Sequence, residues 1–185
     1  MKRLLSFIVA LSIVNFVKGQ ALSPDDVPQV ERRLWKIGFV LPGIEYERSL
    51  GSFTSINVNP HLNVGYSSNF ALGNAWLVQP AIDVQLRKYY NLLKRAAKEK
   101  NTTGNSANFV ALNIFRVSRS IVDTEDFRNH HYYGLGPIWG IQRTYRSNFN
   151  LSFQAGIAYA VDSFGREDYL VLLKVRLGLA LRRDH

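Results

Sequence analysis

Side chains of alternating character recur along this chain. A period of two residues marks a strand that shows one face to an apolar medium and the other to something polar. From Asn148 to Asp162, Phe149, Leu151, Phe153, Ala155, Ile157, Tyr159 and Val161 share one face. Opposite them stand Asn150, Ser152, Gln154, Gly156, Ala158 and Ala160. The last segment repeats the scheme, with Leu173, Val175, Leu177, Leu179 and Leu181 against Lys174, Arg176, Gly178, Ala180 and Arg182. Earlier, Ile56, Val58, Pro60, Leu62, Val64 and Tyr66 oppose Asn57, Asn59, His61, Asn63 and Gly65. Trp76, Val78, Pro80, Ile82, Val84 and Leu86 oppose Gln79, Ala81, Asp83, Gln85 and Arg87. Two further runs, Asn108 to Val117 and Tyr133 to Gln142, follow the same rule with Val110, Leu112 and Ile114, then Leu135, Pro137, Trp139 and Ile141 on the apolar side. No segment holds a helical period, although a short helical turn is expected within Leu92 to Lys100.

The parity of Trp35 to Glu47 changes around Pro42-Gly43, which predicts a bulge there. Counted this way the chain has seven strands. Single-chain bacterial outer-membrane barrels have an even number, and about eight is what a chain of this size can close. The missing strand is expected in Ser67 to Ala75, within Ile121 to Phe127, or at the Pro42-Gly43 break. The fold class expected is an all-β, antiparallel, up-and-down transmembrane β-barrel of about eight strands.

The beginning of the chain resembles an export signal. Lys2 and Arg3 precede an apolar stretch from Leu4 to Val17, shorter than the ~20 residues a spanning helix needs. Cleavage is expected after Gly19, with Ala21 as the alternative position. Residues 20–34, holding Pro24, Asp25, Asp26 and Pro28, are expected to form a polar leader, and 35–185 the barrel domain. No later stretch is apolar enough for a helical span, which leaves spanning strands of about 10 alternating residues open. With no cysteine, the chain has neither disulfides nor thiolate metal sites nor a cysteine-borne lipid anchor. The formal charge of +9 becomes +6 once Lys2, Arg3 and Lys18 leave with the signal. The basic residues are spread through loops and strands, which points to anionic lipid headgroups rather than nucleic acid.

Alternation fits two barrels of opposite polarity: a soluble secreted barrel with an apolar ligand inside, or a membrane barrel with its apolar face outward. The polar-face residues decide the expectation. They are mostly Gly, Ala, Ser, Asn and Gln with a few charges, which suits a narrow lumen better than a water-exposed sheet. Aromatic residues near strand ends, Trp35, Tyr46, Tyr66, Trp76, Tyr89, Tyr90, Tyr132, Tyr133, Tyr145 and Tyr169, suit membrane interfaces.

Three stretches carry a resemblance: Pro42-Gly43-Ile44-Glu45-Tyr46-Glu47, Arg87-Lys88-Tyr89-Tyr90-Asn91-Leu92 leading into Lys94-Arg95-Ala96-Ala97-Lys98, and Gly136 to Tyr145. They resemble small bacterial outer-membrane β-barrel proteins of unknown function, over roughly Trp35 to Leu181. The resemblance implies an outer-membrane barrel and assigns no catalytic residue. One departure is that the chain ends Leu181-Arg182-Arg183-Asp184-His185, where many such barrels end on an aromatic residue.

If the parity holds, Glu45, Glu47 and Asp83 share the lumen with Arg87, Lys174 and Arg176. Buried ions must pair, so these six are expected to form an internal salt-bridge network. A gated pore or proton path through the same charges is the functional alternative, with an acid–base catalytic pair the remaining one. His130 and His131 are adjacent and point to opposite faces of a strand, a poor arrangement for one metal. No nucleophile motif such as G-x-S-x-G occurs, and neither catalytic residue, cofactor nor metal is assigned. The basic run Lys94 to Lys100 is expected to meet headgroup phosphates, and Asp123 to His131 to form a loop for a partner. The expected function is structural or interaction-based, with loops on a rigid scaffold in the cell outer membrane contacting outer-membrane lipids, lipopolysaccharide or an envelope protein. The alternatives are a soluble periplasmic or secreted barrel holding an apolar ligand, and an outer-membrane enzyme acting on lipid.

Overall fold

A computed structural model of the chain describes residues 28–69, 73–122 and 131–181, with the backbone alone at 65–69 and 73–77. The expected export signal, most of the polar leader, His130, the Asp123 to Phe127 stretch, the Arg182 to His185 tail and the side chains of Tyr66 and Trp76 lie outside the described residues.

Eight strands follow in order: β1 (Arg33–Val40), β2 (Gly43–Gly51), β3 (Thr54–Asn69), β4 (Gly73–Tyr89), β5 (Asn108–Val117), β6 (Tyr132–Thr144), β7 (Phe149–Asp162) and β8 (Glu167–Leu181). Each pairs antiparallel with the next, and β1 pairs with β8 through Trp35–Leu181 to Gly38–Gly178, so the sheet closes on itself. Closure pairs both edges of the sheet through part of its height, the usual answer to exposed backbone groups.

The eighth strand is at the Pro42-Gly43 break. Where a bulge was expected there is a two-residue turn, Leu41-Pro42, joining β1 to β2. Leu41 takes a positive φ of 56° and proline follows with its fixed negative φ, the order of signs in a type II′ hairpin turn. Such a turn normally starts with glycine, so a leucine there hides it. The register irregularity is nearby instead, between Gly38 and Val40 against β8. The turn also explains the parity change: Lys36 and Glu45 are directly paired across it and point the same way.

Two ends can be distinguished. The terminal end holds the start of β1, the end of β8 and the β2–β3, β4–β5 and β6–β7 connections. The far end holds the Leu41-Pro42 turn and the other three. The β4–β5 connection folds back as helix α1 (Leu92–Ala96) and a 3₁₀ turn (Thr103–Asn105) and stoppers the terminal end. Gln142 Nε2 donates to Gly104 O at 2.8 Å, Thr144 N to Ser106 Oγ at 2.7 Å, and Glu31 N to Asn105 Oδ1 at 2.8 Å. Gly104 has a φ of +61°, and a Cβ there would run into Thr144, so only glycine fits. Beneath this stopper Val30, Tyr89, Leu92, Ala107, Phe109 and Ile138 form a small apolar cluster.

Aromatic rings fill the lumen where the neighbouring strand has no side chain. Phe109 is paired with Gly140 and Phe115 with Gly134, and in both cases a Cβ on the glycine would strike the ring. Gly134 and Gly140 of β6 are thus a packing requirement of β5.

The outer face reverses the usual order of a soluble protein. Along β5, Val110, Leu112 and Ile114 are exposed while Phe109, Ala111, Asn113, Phe115 and Val117 are buried. On β8, Tyr169, Val171 and Leu173 are 79%, 75% and 69% exposed. Outward charges of the described strands sit near the ends: Arg33, Arg48, Lys88 and Arg143 at the terminal end, Arg116 and Glu167 at the far end. The band between them carries none. At about 3.3 Å per residue and a tilt of about 40°, the rise is about 20 Å from Asn108 to Arg116 and about 30 Å from Tyr169 to Leu181. An open apolar groove of about 1020 Å³ lies on this outer band beside Leu112, Pro137 and Ile157.

Candidate functional site

The polar chemistry is concentrated inside. Strands β1, β2, β4 and β8 aim Lys36, Glu45, Glu47, Asp83, Arg87, Lys174 and Arg176 into the lumen because each falls on the inward parity of its strand. All six charges expected from the sequence meet there, and Lys36 joins them. Asn57, Asn59, His61, Gln85, Asn113, Gln142, Ser152 and Gln154 fill the space around them and are buried.

Two clusters share one bridge. Near the stopper, Lys36 Nζ reaches Glu45 Oε1 at 2.7 Å, Glu47 Oε2 at 3.1 Å and Gln142 Oε1 at 2.8 Å. Arg87 Nη1 contacts the same two carboxylates at 3.0 and 3.2 Å, and its Nε donates to Gln85 Oε1 at 2.8 Å. Glu47 Oε1 accepts from Ser55 Oγ and from Tyr89 OH, both at 2.6 Å. Glu45 Oε1 accepts from Asn57 Nδ2 at 2.7 Å. Closer to the far end, Lys174 Nζ holds both oxygens of Asp83 at 2.7 Å, with His61 Nδ1 3.6 Å from Asp83 Oδ2. Arg176 joins the clusters, with Nη2 2.9 Å from Asp83 Oδ2 and Nη1 3.2 Å from Glu45 Oε2. Rotating the Asn59 amide places its oxygen 2.6 Å from Arg176 Nη2, the orientation the donors around it favour.

The energetics follow from burial. Glu47, Asp83 and Arg87 are fully buried. An isolated ion there would cost several kcal/mol, so each is held by partners on other strands. Four cations, Lys36, Arg87, Lys174 and Arg176, face three carboxylates, Glu45, Glu47 and Asp83. With His61 neutral these seven groups carry one positive charge in excess. Arg176 Nε and Arg87 Nη2 have no hydrogen-bond partner among the described residues. Beyond the charges, Phe115, Val117, Ala158 and Ala160 line the lumen toward the far end, with Ala81, Tyr132, Leu170 and Leu172 packed against them.

Three side chains were misplaced or missed by sequence: Tyr132, grouped with the interface aromatics, packs inward against Phe115. Tyr89, grouped with the interface aromatics, points inward and is 1% exposed, because it shares the parity of Asp83, Gln85 and Arg87. Lys36 was legible as the polar partner of Trp35 and Ile37, but the concealed turn after Val40 obscured which face was inward. Among the described residues no group of three His, Cys, Asp or Glu is placed to hold a metal ion. No family model, curated protein or solved structure matches the chain.

Proposed function

We propose that this chain is an exported β-barrel that spans an outer membrane and serves there as a structural or interaction scaffold, its loops contacting lipopolysaccharide or an envelope protein. The observation that carries this reading is the inversion of polarity. Tyr169, Val171 and Leu173 stand exposed on the outside while Glu47, Asp83 and Arg87 are buried within. Water would have to solvate a continuous apolar band larger than the patches soluble monomers tolerate. Acyl chains would cover it at no such cost, and its height suits the ~25 Å band of membrane barrels.

Interface chemistry supports the same reading. Trp139 Nε1 donates to Tyr90 OH at 2.7 Å on the outer surface near the terminal end, and Arg116 stacks over Tyr133 near the other. Amphipathic rings at both rims suit headgroup levels. The soluble-carrier alternative needs an apolar interior, whereas the middle of this lumen is filled by ion pairs and amides.

Fractionation tests the proposal. Expressed with its leader in a bacterium with two membranes, the chain should sediment with the outer membrane and resist carbonate extraction. In mild detergent it should migrate faster unheated than boiled. Recovery as a folded monomer in the periplasm without detergent contradicts it.

A further inference from the structure

The β1–β2 hairpin is shorter than its neighbours, and this leaves a notch in the wall. Its turn reaches only to the Val40–Leu177 and Gly43–His61 pairs, with Leu62 N donating to Pro42 O at 2.8 Å. Beyond that level β3 continues to Asn69 and β8 extends back to Glu167. Residues 63–69 of β3 and 167–176 of β8 therefore each have one edge with no strand beside it among the described residues. At the level of the turn β1 and β2 lie between them, so the β3 and β8 backbones start three strand spacings apart, about 14 Å. Outward residues on both margins, Val64 on one side and Val171, Leu173 and Val175 on the other, place the notch within the apolar band.

The geometry points to a lateral portal through which an anionic lipid enters the lumen, headgroup against Lys174 and Arg176 and tail through the notch into the bilayer. The inference rests on the membrane reading and goes further by naming a ligand class. Three observations converge on it. The lumen floor behind the notch sets two cations, Lys174 and Arg176, around the one Asp83 carboxylate they share, and Lys174 is the more accessible, with 16% of its side chain exposed against 8%. Arg176 Nε, buried beside it, has no partner among the described residues and is free to donate. Above this floor the lumen turns apolar, with Leu170 and Leu172, half-buried against Phe115 and Ala158, offering a surface for the first carbons of a tail.

Free strand edges are costly in hydrocarbon unless something satisfies them. Water entering from the far end can do so along a portal. A partner strand inserted in the notch is the competing occupant, but it would leave the cations behind it unused.

The full chain in dodecyl maltoside micelles, with amide NMR shifts of residues 170–176 as readout, tests the portal. Dodecyl phosphate should bind saturably, one per chain. Dodecanol, dodecyl trimethylammonium and inorganic phosphate should each bind at least about tenfold more weakly, the worth of one charge-assisted hydrogen bond. Lys174→Gln should weaken dodecyl phosphate by a similar factor. Should that variant fail to fold, the anionic-against-cationic comparison on the unaltered chain still decides. Equal binding of dodecyl phosphate and dodecanol overturns the proposal, as does equal binding of inorganic phosphate. A dimer in place of saturable binding, trapped as a disulfide between copies of Val171→Cys, also overturns it. Failure of the membrane reading would show differently, as a folded chain that needs no detergent.

Discussion

Arg87 holds its Nη1 3.0 Å from Glu45 Oε1, although 42 residues separate them in the chain. The contact exists because β2 and β4 both present inward parity at one level of a closed sheet. It ties the pairing of strands to the pairing of charges: a slip of either strand by one residue would turn its ion toward the apolar exterior.

Removing one member of this network leaves the others uncompensated. Arg87→Met should lower stability by about 3–5 kcal/mol, since Glu45 and Glu47 remain buried with Lys36 as their main counter-ion. Urea titration in detergent, following the heat-sensitive gel shift, measures the change. A loss below about 1 kcal/mol would mean that the lumen is hydrated enough to screen the pair.

Ring-over-glycine packing gives a second expectation. Gly140→Val should destabilise the barrel by about 1–3 kcal/mol, because the new side chain meets the Phe109 ring. Adding Phe109→Ala should make the combined loss smaller than the sum of the two single losses. Additive losses would show that the two residues do not share one space.

The outer band predicts a position-dependent cost. Leu112→Arg, at the middle of the band, should reduce folding stability in phosphatidylcholine bilayers by about 2–4 kcal/mol, whereas Asn108→Arg near the rim should cost about 0–1 kcal/mol. Folding yields at graded denaturant give both values. Equal, negligible costs would fit an outer face bathed in water.

Much of this was legible in the sequence, for a physical reason. Alternation in β7 and β8 is strict because each residue there faces either the apolar exterior or a crowded lumen, and the six inward charges follow from parity alone. The break at Pro42-Gly43 was legible, but not its form as a two-residue turn, since the positive φ falls on Leu41 where such a turn normally has glycine. The stopper was hidden for another reason. Its contacts join Glu31 to Asn105 and Gln142 to Gly104, 74 and 38 residues apart, and no local period encodes such pairs. Nor does composition show the notch, which depends on β1 and β2 being about half the length of β3 and β4.

Spin labels along β5 test the orientation of the wall most directly. The chain has no cysteine of its own, so single cysteines from Phe109 to Val117 can be labelled cleanly and the chain placed in phosphatidylcholine vesicles. Collisions with dissolved oxygen should be frequent at Val110, Leu112 and Ile114 and rare at Ala111 and Asn113, with a water-soluble nickel chelate excluded from the first three. Frequent chelate collisions at Leu112 and Ile114 would place that face in water and contradict a membrane-spanning barrel.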